Sequence, residues 1–259
     1  MRAICGMFIM AGVLGMATAA RAADSDVAAD VVANVSQVKQ GQGFLVGLRL
    51  KTHEGWHVYW KNSGDAGIAT DVKWSVTPGW EVQPLEMPVP QRFVATGDLV
   101  SYGYSGEVML LARLVPTKTV AAVSEVTVTA DATWLCCKEA CVPGSKKVSV
   151  TVAVGGEGKA VEEGLFAKWE AAVPASAAPE GVKVESKATA LGKKGDATLS
   201  VGIVGGGFTK PTVAIYPASE KVQITRNGGV GASRDSASYL FDVHMMASQK
   251  DPAHVPFLV

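Results

Sequence analysis

Hydrophobic and polar residues alternate along much of the first 155 residues. Phe44, Val46, Leu48 and Leu50 fall on one side of an extended chain, and Val108, Leu110, Ala112 and Leu114 do the same. Val126, Val128, Ala130, Ala132 and Trp134 make the longest such face, with Thr127, Thr129, Asp131 and Thr133 opposite. Val148, Val150, Val152 and Val154 close the series. Side chains of a strand point alternately to its two faces, so a period of two marks half-buried strands. Turn-forming clusters separate them: Asn62-Ser63-Gly64-Asp65, Thr77-Pro78-Gly79 and the stretch from Pro84 to Pro90. Many short strands broken by such turns predict an all-β antiparallel sandwich over residues 23–155.

The pattern then changes. Residues 160–172 place Val161, Leu165, Phe166 and Trp169 at near-helical spacing, which predicts a short helix. A linker of Pro, Ala and Ser follows at 173–181. Alternation resumes at Leu199, Val201 and Ile203, at Val213 and Ile215, at Val222 and Ile224, and from Tyr239 to Met246. The organisation expected is a helix and linker over 156–181 and a second, smaller β domain over 182–259. The last residues, Pro256-Phe257-Leu258-Val259, are apolar. A final strand that begins there and stops would leave a sheet edge open, so the second domain reads as incomplete, by nature or by truncation.

Residues 1–22 carry a secretory signal pattern. Arg2 is the basic start, Ala3 to Met16 is apolar, and Ala20-Arg21-Ala22 is a small-residue cleavage site. The apolar run is short of the ~20 residues a membrane span needs. No other stretch approaches that length, so the mature chain is expected to be exported to the periplasm without a membrane span. Removing Arg2 and Arg21 leaves 22 basic against 24 acidic residues. No basic field is available to attract nucleic acid.

An exported chain gives its cysteines a different meaning from a cytosolic one. Three of the four lie within WLCCKEACVP, residues 134–143: Cys136, Cys137 and Cys141. The fourth, Cys5, belongs to the signal. If the strand through Trp134 continues, Cys136 points into the core as a small buried hydrophobe and Cys137 points outward. Cys137 and Cys141 then form the working pair, brought together by a turn through Lys138-Glu139-Ala140. A Cys136–Cys137 bridge stays open as a strained alternative, because neighbouring side chains on a strand diverge. A disulfide closing so small a loop gains little from chain entropy, which favours a redox-active pair over a structural bond.

Soft thiolate ligands also suit Cu(I), so a copper-handling protein using the same three thiols is a rival. His53, His57 and His244, with Met245 and Met246, are further candidate ligands, although solvated or core side chains are the plainer reading. No spacing suits structural zinc. No nucleophilic triad, phosphate-binding loop or paired carboxylates stand out, and the glycine-rich GGVGASRD at 228–235 lacks a strand-turn-helix context. No cofactor and no metal is therefore expected. A non-catalytic interaction domain with a structural disulfide is the third reading.

Three ordered motifs carry a resemblance to a known family. GWHVYWKNSGDAGIATDVKWSVTPGWEV, YGYSGEVML and WLCCKEACVP, together with the rest of residues 30–155, resemble the N-terminal periplasmic domain of the DsbD family of thiol:disulfide interchange proteins, in its ScsB-like, copper-sensitivity branch. The resemblance implies an immunoglobulin-like sandwich with a redox pair at Cys137 and Cys141. It implies thioredoxin-like redox partners, periplasmic or membrane-tethered, and acceptors among periplasmic disulfide proteins, including cytochrome c maturation factors. Cys136 stands where the family commonly has an apolar residue. Family members shield the pair with a cap loop bearing an aromatic. The equivalent stretch is Gln91 to Tyr104, with Phe93, Tyr102 and Tyr104 as candidate covers. Complete members continue into a membrane domain and a thioredoxin-like domain. Neither follows in this sequence, so the resemblance implies a separate electron donor or a fragment.

Overall fold

The computed structural model describes residues 27–117, 123–175, 177–178, 180–190, 196–205, 216–217, 222–232, 236–245 and 257–258. The expected signal segment with Cys5, the strand expected at Val213 and Ile215, Met246 and His254 lie outside the described residues. The first elements in chain order are β1 (Val27–Ala33), β2 (Val35–Val38), β3 (Phe44–Thr52), β4 (His57–Gly64), β5 (Asp71–Val76) and β6 (Trp80–Pro84). There follow β7 (Gln91–Val94), β8 (Val100–Ser105), β9 (Glu107–Pro116), β10 (Glu125–Cys137), β11 (Cys141–Val154), β12 (Lys159–Ala160) and helix α1 (Glu163–Ala172).

These strands make two sheets. One has the order β1-β3-β9-β6. The other runs β12-β2-β11-β10-β4-β8-β7, with β5 also pairing β10. Pairing is antiparallel except where β11 meets β2. The faces between the sheets share one core. Val46, Leu48 and Leu50 come from the first sheet, and Trp60, Val126, Val128, Ala130, Ala132 and Trp134 from the second. The architecture is an all-β, immunoglobulin-like sandwich. Strand β10 shows why the sequence folds this way: its even positions from Val126 to Cys136 are all buried, while Thr127, Asp131 and Thr133 between them are exposed.

Helix α1 begins later than its periodicity predicts. Ala160 is held in β12 against β2, the Val161 amide donates to the Asn34 carbonyl, and Glu162 turns the chain at a φ of 55°. Backbone pairing thus claims the first residues of the apolar pattern. Phe166 and Trp169 of the helix enter the sandwich core, and Lys168 reaches Glu107 of β9 at 3.7 Å.

The remaining described residues form a sheet ordered β13 (Lys183–Ala190), β14 (Asp196–Val204), β17 (Ser236–Met245), β16 (Val222–Ala232), and a short pair of β15 (Tyr216–Pro217) with β18 (Phe257–Leu258). Strand β13 was not legible in the sequence: KVESKATA offers weak alternation, and its pairing with β14 makes it a strand. Part of the glycine-rich run, Gly228 to Ala232, lies in β16. Tyr216 packs edge-on against Trp60 and Tyr102 of the sandwich, 6.4 and 5.7 Å between ring centroids. The buried Asn62 side chain donates to the Pro217 carbonyl at 2.7 Å.

Candidate functional site: a disulfide at the tip of a hairpin

Strands β10 and β11 pair residue by residue from Glu125↔Ala153 to Cys137↔Cys141. The two cysteines are therefore the last opposed pair before the turn. Lys138, Glu139 and Ala140 make that turn, closed by the Lys138 amide donating to the Ala140 carbonyl at 3.2 Å. Cys137 and Cys141 form a disulfide with their Cα atoms 4.2 Å apart. The opposed pair Trp134↔Gly144 lies just below. A Cβ at Gly144 would run into the Trp134 indole, so glycine leaves the ring room to lie across the hairpin.

The other edge of β10 is shared. Strand β5 takes it from Val128 to Thr133, and β4 takes the tip, with Cys136↔Val58 and Cys137↔His57. Opposed residues share a face. Following the register through β8 and β7 puts Cys136, Val58 and Tyr104 on the core face. Cys137, His57, Tyr59, Ser105 and Phe93 fall on the outer face.

Cys136, which stays outside the disulfide, is 1% exposed. Cys137 faces outward as alternation predicts, yet it is only 3% exposed. Aromatic rings occupy the outer face here, so pointing outward does not bring Cys137 to solvent. Phe93 stacks on His57 with centroids 4.4 Å apart, and the Tyr59 ring meets His57 edge-on at 5.1 Å. Cys141, by contrast, is exposed.

The stretch Gln91–Tyr104 is a hairpin at the edge of the sheet, β7 and β8 joined by a turn, rather than an irregular loop. Of its three candidate covers, Phe93 lies against His57 beside the disulfide. Tyr102 and Tyr104 do not: they occupy even positions of β8, share the face of Val58 and sit in the sandwich core. The Tyr104 hydroxyl donates to the Pro88 carbonyl at 2.6 Å, and burial pushes its pKa far up. Burial raises Tyr102 to about 12.

Two residues absent from the expected redox site adjoin the disulfide. The Tyr59 hydroxyl lies 3.9 Å from Cys141 Sγ. A disulfide sulfur has no proton to give, so the hydroxyl donates. Burial, and secondarily Cys136, raises the Tyr59 pKa and keeps it a phenol. The loop from Gly64 to Thr70 covers this ring. Gly67, at a φ of 103°, lies where any side chain would strike the Tyr59 ring. Thr70 fixes the loop end through its hydroxyl, which donates to the Tyr59 carbonyl at 2.7 Å. His57 is the second residue. Desolvation lowers its pKa. The signal in the sequence was the phase of β4: His57 and Tyr59 sit out of step with the core residues Val58 and Trp60.

The three thiols do not converge, since Cys136 lies across the strand from the disulfide. Among the described residues no three His, Cys, Asp or Glu side chains gather as metal ligands would. No described helix is long and apolar enough to cross a membrane.

A β-sandwich carrying a disulfide across a hairpin tip, one cysteine buried and one exposed, is the class that fold and site define. Residues 24–153, half of the chain, match the family model for thiol:disulfide interchange protein DsbD, N-terminal, and this chain belongs to that family. No curated protein matches the sequence. Among solved structures, the N-terminal periplasmic domain of ScsB from Proteus mirabilis is similar at 19% identity and a TM-score of 0.57, covering 89% of this chain and 85% of that one. At that identity the likeness establishes the fold. The Neisseria meningitidis DsbD N-terminal domain in its reduced form aligns at 14% identity and a TM-score of 0.26, over 50% of this chain and 85% of that one.

Proposed function

We propose that this protein is a periplasmic thiol–disulfide exchange module, which passes electrons between a thioredoxin-like donor and periplasmic disulfide proteins through Cys137 and Cys141. The observation that carries this reading is the asymmetry of the disulfide: Cys141 is exposed while Cys137 is 3% exposed. Family membership supports the chemistry, and the periplasmic origin of the similar ScsB domain supports the location. Residues 23–155 are the exchange domain in this reading, with the helix and linker at 156–181 and a second domain at 182–259.

An incoming thiolate meets Cys141 Sγ first. Attack there forms a mixed disulfide, breaks the Cys137–Cys141 bond and sends the electron pair to Cys137. A second thiol of the donor then attacks its own sulfur in the mixed disulfide and leaves this protein as a dithiol. In the outward direction Cys141 attacks the acceptor, and Cys137 resolves the product. Phe93 on its edge hairpin covers the outer face until a partner displaces it, which limits premature reaction with small oxidants.

The reduction potential, by glutathione titration with thiol trapping, tests the proposal. A value in the range of known exchange proteins, about −120 to −270 mV, is expected. A value below about −300 mV would mark a structural bond and sink the proposal. Cys141→Ser is expected to abolish exchange with a thioredoxin-like donor, and Cys137→Ser to trap the mixed disulfide on Cys141. Wild-type rates in either variant would overturn it.

A further inference from the structure

The outer face beside the disulfide holds one polar atom with no role in the exchange described so far. His57 Nε2 is buried and has no hydrogen-bond partner. A buried donor or acceptor left unsatisfied is costly, so such an atom calls for a reason. The ring is held by Phe93 on one side and Tyr59 on another. Its opposed residue on β10 is Cys137, which places the two Cβ atoms about 4.5–5.5 Å apart on one face.

We propose that His57 Nε2 takes the proton of the Cys137 thiol when Cys137 resolves the mixed disulfide on Cys141. The inference rests on the exchange function proposed above. In the dithiol form, the Cys141 thiolate attacks an acceptor disulfide. One acceptor sulfur becomes bonded to Cys141 Sγ, and the other leaves as a thiolate. Cys137 is still a thiol at this point, and the thiolate is the nucleophile. Its proton passes to His57 Nε2. The Cys137 thiolate then attacks Cys141 Sγ, the Cys137–Cys141 bond forms, and the bond to the acceptor breaks with its electron pair on the acceptor sulfur. The protein has lost two electrons and the acceptor has gained two. The imidazolium returns its proton to water. In the inward direction the steps reverse: His57 Nε2 takes a proton from water and passes it to the Cys137 thiolate once that has left.

The surroundings suit this role. A buried thiolate is disfavoured in an apolar site, and an imidazolium beside it supplies the missing counter-charge. Desolvation lowers the His57 pKa and so favours the neutral ring, and its Nε2 has no partner. The groups around it leave the task to His57. Tyr59 on the same strand stays a phenol and points to Cys141. Strand β8 brings Ser105 and β7 brings Phe93, neither of which titrates near neutrality. Lys138 and Glu139 on the turn are exposed to water.

The test follows thionitrobenzoate release from the reduced protein mixed with one equivalent of 5,5′-dithiobis(2-nitrobenzoate), from pH 5 to about pH 9.5, in a range that spans imidazole and thiol titration. The first release reports attack by Cys141 and the second reports resolution by Cys137. His57→Phe keeps a ring against Phe93 and removes the nitrogens. Its second release at pH 7 is expected to be about a hundredfold slower, the lower end of what a positioned base supplies. It should converge on wild type at the alkaline end, with the first release unchanged. Equal second-phase rates and superimposable pH profiles in wild type and variant would overturn the role of His57 and leave the exchange function standing. A wild type that gives only the first release would overturn the exchange function, and this inference with it. His57→Asn, polar but without a titrating nitrogen, serves if His57→Phe does not fold, and the same slowing is expected of it.

Discussion

Cys136 and Cys137 are neighbours in sequence on one strand, yet their two sides of the hairpin tip are built differently. On the inner side, Cys136 joins Val58, Trp134 and Tyr104 in a core shared by both sheets. That side is apolar, and the Tyr104 phenol beside Cys136 is tied to a backbone carbonyl. On the outer side, Cys137 is covered almost as completely, but by a histidine with an unpartnered nitrogen, a phenol aimed at Cys141, and a phenylalanine from an edge strand. Equal burial therefore means different things. The inner cover is held by the whole sandwich, whereas Phe93 of the outer one hangs on a four-residue strand at the end of a sheet. Local stability falls toward such edges, where few buried contacts hold the backbone. A cover placed there can leave without unfolding the domain.

Breaking the inner side should have the largest effect. Trp134→Ala empties a core site 3% exposed and is expected to cost about 3–5 kcal/mol, read from the midpoint of urea unfolding. A loss below about 1 kcal/mol would mean that the inner side is not the structural one. Phe93→Ala should act in the opposite sense. It is expected to cost little stability, about 0.5–1.5 kcal/mol for the lost ring pair. The rate at which glutathione reduces the disulfide should rise several-fold, and an unchanged rate would remove Phe93 as a cover. Cys136→Ala should do least: exchange kinetics within error of wild type, and a small stability change because a thiol there behaves as a small hydrophobe. A marked shift in reduction potential for that variant would break the comparison, because it would give the inner thiol a part in the redox chemistry.

Much of this arrangement was legible in the chain. The period of two through Val126 to Trp134 gave the inner face correctly and carried on to Cys136. The spacing of Cys137 and Cys141 across three residues anticipated a closed hairpin turn. Aromatic positions in the edge hairpin were legible only as candidates. Phe93 and the pair Tyr102 and Tyr104 differ by strand phase, and a short strand flanked by prolines and glycines does not disclose its phase. Position 103 shows the difficulty. Gly103 presses so closely on the Val58 backbone that a Cβ has no room, a constraint set by a strand 45 residues away.

The sequence by itself determined the class of fold, the inward thiol and the pair of cysteines able to join, because strand alternation and turn length are local properties of the backbone. Only the tertiary structure decided that β4 lies along the tip of β10 while β5 takes the rest of that edge. That choice brings His57 opposite Cys137 and Tyr59 within reach of Cys141. It also leaves one cysteine of the disulfide exposed and the other buried. Which strand occupies an edge depends on contacts between residues far apart in the chain, and their energies appear only once the sheet has closed.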